Sequence, residues 1–456
     1  MSFNVLDKSW EIKTIGDFVT AKEAEIQTGP FGTMLQASSY TLDGTPVIAV
    51  KDIGVNKIVH GNSPLINDED AERLSRYKLL QGDIIFGRKG AVDRRALVTK
   101  KEEGWIQGSD CIRIRFKSSK IDPVFVSYFL GTKFYINWIV SNAQGTTMPS
   151  LNQEILKRVP LPIPTIAEQR RIVSVLKVID EKIEINNAIN NNLEEVAQVL
   201  FKRWFVDFEF PNINGEPYKS SGGEFEESEL GLMPKGWRLG TLSDLGEVVG
   251  GATPSKSKEE YYTTWGIPWI TPKDLSLNKN KYISRGQIDI TKEGFKSSST
   301  RLLPKGTVLF SSRAPIGYIA ISKNEVTTNQ GFKSLIPFEH IGSEFLYYVL
   351  KFSTETIENR ASGSTFKEIS GSEMKRVPVI IPSFDVVEQF NIIVESVGRM
   401  VEKCESESDS LIHLRDSLLP KLMSGEIQVP LKQDILYSHS IELPLVAENK
   451  AQYPTT

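Results

Sequence analysis

Cysteine and histidine are scarce in this chain of 456 residues, which has two cysteines and four histidines. Cys111 and Cys404 are too few for a disulfide framework or a four-ligand zinc site, so the sequence favours a reducing compartment. The histidines show no HExxH or other metal-ligand spacing. Uncharged apolar runs near the roughly 20 residues that span a bilayer are missing, and the first residues do not resemble a signal peptide. These absences predict a soluble, cytoplasmic protein.

Catalytic signatures are absent from the sequence as well. Residues 82–89 imitate the start of a P-loop, but Arg88 stands at the lysine position and Lys89 at the Ser/Thr position. The hydroxyl that would bind Mg²⁺ is therefore missing. We find no nucleophile elbow, no Cys-His constellation, no Pro-Pro-aromatic run typical of amino-methyltransferases and no Gly-rich cofactor loop. The sequence predicts a binding or targeting subunit that is not an enzyme and needs no cofactor.

The most informative feature that the chain does have is an internal duplication. Phrases recur after about 220 residues, far beyond the period of roughly 20 to 50 residues in solenoid repeats. The recurring phrases are Trp10–Asp17 with Trp237–Asp244, Gly82–Phe86 with Gly306–Phe310, Arg158–Pro160 with Arg376–Pro378, and Glu168–Gln169 with Glu388–Gln389. Two copies of one module should do two copies of one task.

Each copy changes texture at a Pro-rich segment, from mixed α and β patterns to a long helical pattern. Runs such as Val47–Val50 and Ile112–Phe116 predict strands, and Val124–Tyr135 predicts helix. Capping-box patterns at Thr165–Glu168 and Asp385–Glu388 predict the starts of two long helices. Apolar residues then follow at alternating spacings of four and three, which is a heptad seam. The first seam comprises Ile172, Leu176, Ile179, Ile183, Asn186, Asn190, Leu193, Ala197 and Leu200, and the second, less regular, runs from Phe390 to Leu418.

Taken alone, the formal net charge of −3 argues against a nucleic-acid binder. Counted by segment, however, residues 1–150 carry +2, residues 151–236 carry −4, residues 237–376 carry +5 and residues 377–456 carry −6. The globular segments are therefore basic and the helical segments acidic, an alternation that the total conceals.

Candidate DNA contacts follow from the basic and polar turns of the globular segments. In the first copy they are Arg88, Lys89, Arg94 and Arg95 with the turn residues Thr146 and Thr147. In the second copy they are Lys256, Lys258, Ser312, Arg313 and Lys333 with the turn residues Ser364 and Thr365. Arginine suits guanine and small polar side chains suit other base edges, so the divergence between copies is typical of readers of different sequences. The simpler alternatives are a solvated hairpin face for the arginines and turn chemistry for the hydroxyl residues.

Several phrases resemble the DNA specificity subunit of type I restriction-modification systems. They are Gly145–Asn152, Pro160–Pro164 with Ala167–Val173, Leu200–Phe208, Asn214–Lys219, Pro234–Trp237 and Asn329–Phe332. The resemblance covers nearly the whole chain, apart from about residues 430–456. It implies two target-recognition domains that each read half of a bipartite double-stranded DNA site, and two helical regions that form an antiparallel coiled coil.

The same resemblance implies partners in place of a catalytic centre. Such subunits recruit two methyltransferase subunits, which methylate adenine, and then ATP-dependent restriction and translocase subunits. The carried-over docking positions are Glu168, Gln169, Arg170, Trp204 and Phe205. For Trp204 and Phe205 the alternative is that they pack the base of the helical bundle. The second copy departs from the family pattern at Phe384–Val387 and in its Ser-rich stretch 404–410, which predicts a weaker coiled coil and partner contact than in the first copy.

The expected fold class is α+β, with two α/β target-recognition domains separated by two long helices in an antiparallel coiled coil, and with internal pseudo-twofold duplication. The expected boundaries are 1–150 and 230–376 for the recognition domains, 151–229 and 377–429 for the helical regions, and 430–456 for a tail. Two other functions stay open from the residues alone. One is a coiled-coil scaffold without DNA recognition, and the other is a degenerate methyltransferase or nuclease.

Overall fold

The computed structural model describes residue 7 and residues 9–61, 63–145, 149–313, 315–363 and 367–430. The described chain forms two compact units. The first takes its residues from 1–181 and 411–456, and the second comprises residues 182–410. Each unit therefore contains a globular module together with segments of both long helices. Among the described residues, no helix is long and apolar enough to cross a membrane.

The first module contains eleven strands and five α-helices among its described residues. The strands are β1 Glu11–Thr14, β2 Ala24–Thr28, β3 Tyr40–Thr41, β4 Thr45–Ile48, β5 Val55–Asn56, β6 Leu65–Ile66, β7 Ile84–Gly87, β8 Arg95–Leu97, β9 Ile106–Gln107, β10 Cys111–Phe116 and β11 Pro160–Ile163. The helices are α1 Ile15–Thr20, α2 Asp68–Arg73, α3 Pro123–Phe129, α4 Lys133–Asn142 and α5 Gln153–Lys157. They are followed by the long helix α6, Ile166–Phe201, which continues as a π-helical turn over Lys202–Val206.

The strands of the first module form three sheets. The five-stranded sheet has the order β2-β10-β7-β8-β5, the four-stranded sheet has the order β3-β6-β4-β9, and β1 pairs with β11. Strand β7 is the centre of the larger sheet, and all four of its residues are buried. A strand that is covered on both faces is expected to be a continuous apolar run, which Ile84–Ile85–Phe86 provides.

The second unit repeats this topology strand for strand. Its strands are β12 Phe225–Ser228, β13 Gly231–Pro234, β14 Arg238–Thr241, β15 Gly246–Gly250, β16 Tyr262–Thr263, β17 Ile267–Ile270, β18 Tyr282–Ile283, β19 Ile288–Ile290, β20 Val308–Ser312, β21 Ile316–Ser322, β22 Thr327–Thr328, β23 Lys333–Pro337 and β24 Pro378–Ile381. Its helices are α7 Pro272–Leu277, α8 Lys292–Lys296, α9 Ser343–Phe352, α10 Thr354–Arg360, α11 Gly371–Lys375 and α12 Phe384–Leu422. The sheet orders are β15-β23-β20-β21-β18, β16-β19-β17-β22 and β14-β24, with an additional hairpin of β12 and β13. The predicted duplication is confirmed.

The predicted heptad seams are the buried faces of the two long helices. Ile172 and Leu176 join the core of the first unit, and Phe390 and Val394 join that of the second. In the second unit Asn186 lies beside Ser408, whereas Phe201 packs on Phe390. Residue numbers thus rise on one helix as they fall on the other, which makes the pair antiparallel as predicted. Leu414, a member of the second predicted seam, is instead 46% exposed.

A polar layer interrupts the helix pair of the second unit at Asn186. Its buried side-chain Nδ2 donates to Glu407 Oε2 at 2.9 Å, to Ser408 Oγ at 3.3 Å and to the carbonyl of Cys404 at 3.4 Å. Asn186 Oδ1 has no hydrogen-bond partner among the described residues. A buried asparagine of this kind costs stability and fixes the register of paired helices, which is the role that the seam predicts.

The match between Glu168–Gln169 and Glu388–Gln389 is not a structural equivalence. The paired strands before each helix begin at Pro160 and Pro378, and the helices begin at residues 166 and 384, an offset of 218 in both cases. The residue that corresponds to Gln169 is therefore Val387, which is also buried. The repeated dipeptide lies two residues further along the second helix, on its exposed side. The prediction that the second helix is capped at Asp385 is wrong, because this helix begins at Phe384 and Asp385 lies in its first turn.

Candidate nucleic-acid interface

The basic turn after β7 and the polar turn around Gly145 meet at one end of the first module. The backbone of Lys89 pairs with that of Ser150 in an isolated antiparallel β-bridge, and Ser150 forms a second such bridge with Gln144. The N–H of Gly90 donates to the carbonyl of Pro149 at 2.9 Å, and that of Leu151 donates to the carbonyl of Arg88 at 2.8 Å. The two predicted turns thus form one loop surface, although Thr146 and Thr147 themselves lie outside the described residues.

Arg88 is held in place by groups that the sequence did not single out. Its Nη2 lies 3.3 Å from Asp110 Oδ1, and its guanidinium lies 5.1 Å from the centroid of the Phe31 ring. Phe31 is itself 53% exposed, so this guanidinium lies at the surface against an aromatic face. Lys89 and Arg94 are exposed and form no ion pair with another described residue. This end of the module can therefore present cations to a polyanion.

Arg95 does not belong to this surface. It is 4% exposed, and its Nε donates to the carbonyl of Ser127 at 2.7 Å. Burial lowers the pKa of Arg95 to about 10, while Tyr135 and Tyr128 raise it. The guanidinium is unavailable to DNA because β8 begins at this residue and turns its side chain under helix α3.

The second module builds the same loop surface with different side chains. The backbone of Arg313 forms an isolated β-bridge with that of Glu368, as Lys89 does with Ser150. The N–H of Ile369 donates to the carbonyl of Ser312 at 3.1 Å. The Glu368 carboxylate forms ion pairs with Arg313 at 3.7 Å and with Lys333 at 3.5 Å. Ser364 and Thr365, which follow Gly363 in this turn, lie outside the described residues.

Ser312 is fully buried and is therefore not a direct contact for DNA. Its hydroxyl accepts from Lys333 Nζ at 3.5 Å, at the limit of a hydrogen bond, and thus lies beneath the charged group. Lys333 has a side chain that is 16% exposed, which leaves part of its ammonium at the surface. Among the predicted residues of this turn that the structure describes, Arg313 has the most exposed side chain, at 38%.

Two further predicted cations lie on the segment that follows β15. Lys256 and Lys258 are both exposed, and Lys258 Nζ donates to the Tyr261 hydroxyl at 3.1 Å while lying 5.0 Å from the centre of its ring. Thr253 on this segment donates to Gln330, which belongs to the loop before β23. Gln330 lies in one of the phrases that resemble the family, but no local signal in the sequence indicates that it meets Thr253.

The predicted docking residues at the start of α6 are mostly engaged inside the first unit. Glu168 Oε1 accepts from Trp10 Nε1 at 3.3 Å. Gln169 is fully buried, with its Oε1 accepting from the N–H of Asp122 at 2.8 Å and its Nε2 donating to the carbonyl of Lys120 at 2.9 Å. Gln169 thus satisfies the backbone that leads into α3. Arg170 is exposed.

Trp204 and Phe205 lie in an aromatic cluster of the second unit. Their neighbours, with ring centroids between 4.9 and 6.3 Å apart, include Phe201, Phe345, Phe390 and Trp237. Trp204 is 5% exposed and Phe205 is partly buried. In the structure these aromatic residues pack the base of the helical bundle, as the alternative expects. Within the described residues, no group of His, Cys, Asp or Glu side chains could hold a metal ion.

The repeated topology and the paired loop surfaces define a protein with two modules of one family. The DNA specificity domain of type I restriction modification matches residues 7–195 and 234–405. The chain belongs to this family, and each of its modules is a DNA specificity domain.

Individual relatives agree with this assignment. The HindI specificity subunit of Haemophilus influenzae, a type I restriction enzyme subunit, is 26% identical over 432 residues, covering 82% of this chain and 93% of that protein. The MjaIX specificity subunit of Methanocaldococcus jannaschii is 44% identical over 192 residues. That alignment spans 41% of this chain and 44% of that relative. Among solved structures, the S subunit of a type I system from M. genitalium has the same fold, with a TM-score of 0.56 at 17% identity over 92% of this chain and 96% of that one.

Proposed function

We propose that this chain binds a bipartite double-stranded DNA site, reading one half with each specificity domain, as the specificity subunit of a type I restriction-modification complex. The observation that carries the proposal is the repeated loop surface: the N–H groups of Arg88 and Ser312 make equivalent backbone bonds, to Asp110 and Gly331, while the side chains differ. One backbone frame with different side chains suits two readers of different sequences.

Affinity is assigned to the exposed and partly exposed cations of the loop surfaces, which would neutralise phosphates. In the first domain these are Arg88, Lys89 and Arg94. In the second they are Lys256, Lys258, Arg313 and Lys333. The turn residues Thr146 and Thr147, which follow Gly145, and Ser364 and Thr365, which follow Gly363, are retained as proposed contacts. The recognition domains are assigned to residues 1–150 and 230–376, and the helical regions to 151–229 and 377–429.

The chain is proposed to be non-catalytic alone and to carry two methyltransferase subunits, with restriction and translocase subunits joining that complex. In the second unit, α6 exposes Ile185, Val196 and Val199 to between 54% and 60%. Apolar side chains on the outer face of a helix suit a helical partner. With the exposed Arg170, they are better candidates for docking than the buried Gln169 and Trp204. Both described cysteines are free, which agrees with action in the cytoplasm.

The experiment has two stages. The target is first found by mapping methylated adenines in a host that carries this chain with its methyltransferase partner. Binding of the purified chain to duplexes of that sequence is then measured across a salt series. The slope of log K against log salt is negative. Replacement of Arg88, Lys89 and Arg94 together by alanine should reduce its magnitude by about 0.9 for each phosphate that is no longer neutralised. Lys177→Ala, an exposed cation on α6, is the matched control and should leave the slope unchanged.

A triple variant with the wild-type slope would refute the assignment of the first loop surface. Exchange of residues 237–376 for the equivalent domain of another specificity subunit should change one half of the methylated sequence. A change in both halves would contradict separate reading by the two domains.

A further inference from the structure

Two tyrosines occupy the same place in the two specificity domains and both contact α6. Tyr128 is the sixth residue of α3, and Tyr348 is the sixth residue of α9. In the first unit the Tyr128 hydroxyl donates to Asp180 Oδ2 at 2.6 Å. In the second unit the Tyr348 hydroxyl donates to Glu194 Oε2 at 2.8 Å. Each domain is thus joined to the segment of α6 in its own unit by a directional hydrogen bond to a carboxylate.

The contact in the first unit also includes the other long helix. Arg415 Nη1, on α12, donates to Asp180 Oδ1 at 2.9 Å, so that both carboxylate oxygens are used. Tyr128 is 6% exposed, and burial together with the Asp180 charge raises its pKa well above the usual range. The hydroxyl therefore stays protonated at any physiological pH and donates a hydrogen bond to Asp180.

The contact in the second unit is built into a buried cluster of charges. Lys281 Nζ donates to the Tyr348 hydroxyl at 2.9 Å and to Glu344 Oε2 at 2.7 Å. Lys351 Nζ donates to Glu194 Oε1 at 2.6 Å. Tyr348 is fully buried, and Lys281 is 6% exposed. The cluster joins the residue before β18, helix α9 and helix α6 through bonds of defined direction.

Duplication alone does not account for these two contacts. At the offset of 218 that relates the long helices, the residue equivalent to Asp180 on α12 is Gly398. A Cβ there would collide with the hydroxyl of Tyr282 and the carboxylate of Glu344. Both carboxylates therefore lie on α6, whereas strict repetition would place one on each helix. Each domain also has a large apolar core against its helices, but apolar burial is non-directional, whereas these hydrogen bonds have a defined direction.

We propose that Tyr128 with Asp180 and Tyr348 with Glu194 are positioning residues that set the orientation of each specificity domain on its helices and thereby fix the gap between the half sites. This inference rests on the proposed function. Adjacent base pairs are separated by about 3.4 Å and roughly 35° of rotation, so a gap one pair longer or shorter requires a domain to reorient on its helices. The tyrosines contact no DNA and read no base.

The test uses Tyr128→Phe and Tyr348→Phe, which remove one hydroxyl and retain the ring. Tyr135→Phe is the matched control, because the Tyr135 hydroxyl is buried and has no hydrogen-bond partner among the described residues. Each chain is expressed with the methyltransferase partner, and methylated adenines are mapped across the host genome. Both test variants should keep the base sequence of each half site. Their methylation of sites with a gap one pair longer or shorter should be on the order of tenfold higher than that of the wild-type chain. The control should keep the wild-type gap.

Unchanged gap discrimination in both test variants would overturn the proposal. A changed base preference within a half site would also overturn it, because that result assigns the tyrosines to base reading. Asp180→Asn keeps an acceptor for Tyr128 and weakens the bond to Arg415. It should relax the gap by less than Tyr128→Phe, and it decides the question if thermal unfolding shows that the phenylalanine variant does not fold. A wild-type chain that supports no methylation at a bipartite site would instead refute the proposed function.

Discussion

Glu405 on α12 is the buried carboxylate that closes the edge strand β18 of the second unit. Its two oxygens accept from the N–H of Lys281 at 2.6 Å and from that of Tyr282 at 3.1 Å. The residue is 4% exposed. Burial raises the pKa of Glu405 to about 7, and Asp409 adds to the rise, while the two backbone bonds and Lys323 lower it. The raised pKa makes the stability of this unit depend on pH near neutrality.

The sign and size of that dependence follow from linkage. The pKa in the folded chain lies above the ordinary value of 4.5, so the folded state binds more protons than the unfolded state between these two values. The contribution of Glu405 to the free energy of unfolding is complete below about pH 4.5 and is lost as the pH rises through about 7. At about 1.4 kcal/mol per pH unit, the loss is on the order of 3 kcal/mol.

The assay compares wild type with Glu405→Gln by urea denaturation of the intact chain between pH 5 and pH 8. Glutamine keeps a carbonyl oxygen as an acceptor but cannot titrate. The free energy of unfolding of wild type should therefore fall relative to that of the variant by a few kcal/mol across this range. Glu395→Gln, an exposed position on the same helix, is the control and should show no such relative fall. A difference between wild type and Glu405→Gln that stays constant from pH 5 to pH 8 would refute the reasoning.

Two further predictions concern the helix pair of the second unit. Asn186→Leu should raise the free energy of unfolding by about 1 kcal/mol, because it removes a buried amide whose oxygen has no partner among the described residues. A lower urea midpoint for this variant would show that the bonds of Asn186 to Glu407 and Ser408 are net stabilising. Phe390→Ala should lower the free energy of unfolding by about 3–5 kcal/mol, because Phe390 is fully buried among the rings of the aromatic cluster. Ile392→Ala, at an exposed position of the same helix, should change the midpoint little.

The features that were predictable from the sequence are those written in short-range patterns or in repetition. The heptad spacing located Leu176 and Val394 in the buried faces of the helices, because one seam of a helix must face its partner. The recurrence of whole phrases predicted the duplicated sheets, since similar strings fold alike. The strands around Phe86 and Ile114 also follow from local apolar runs.

The features that were not predictable depend on contacts between distant parts of the chain. Arg94 and Arg95 are neighbours of the same type, yet one is exposed and the other is buried under a helix that begins 28 residues later. Gln169 resembles a surface residue at a helix start, but it supplies hydrogen bonds to backbone near Asp122. The repeated Glu-Gln dipeptide was misleading because an identity of two residues is weaker evidence than the register of the paired strands.

The two domains share the backbone path of the loop surface but differ in the side chains that it presents. Where the backbone pairing coincides at surface residues, as at Lys89 with Ser150 and at Arg313 with Glu368, the fold requires the same main-chain path and leaves the side chain free to differ. Differences at such positions cost the fold little, so they are where two half sites can come to differ. Differences among the buried contacts of Tyr128 and Tyr348 have another meaning, because those groups face the helices and not the loops. Base identity and half-site spacing should therefore respond to separate sets of substitutions in this chain.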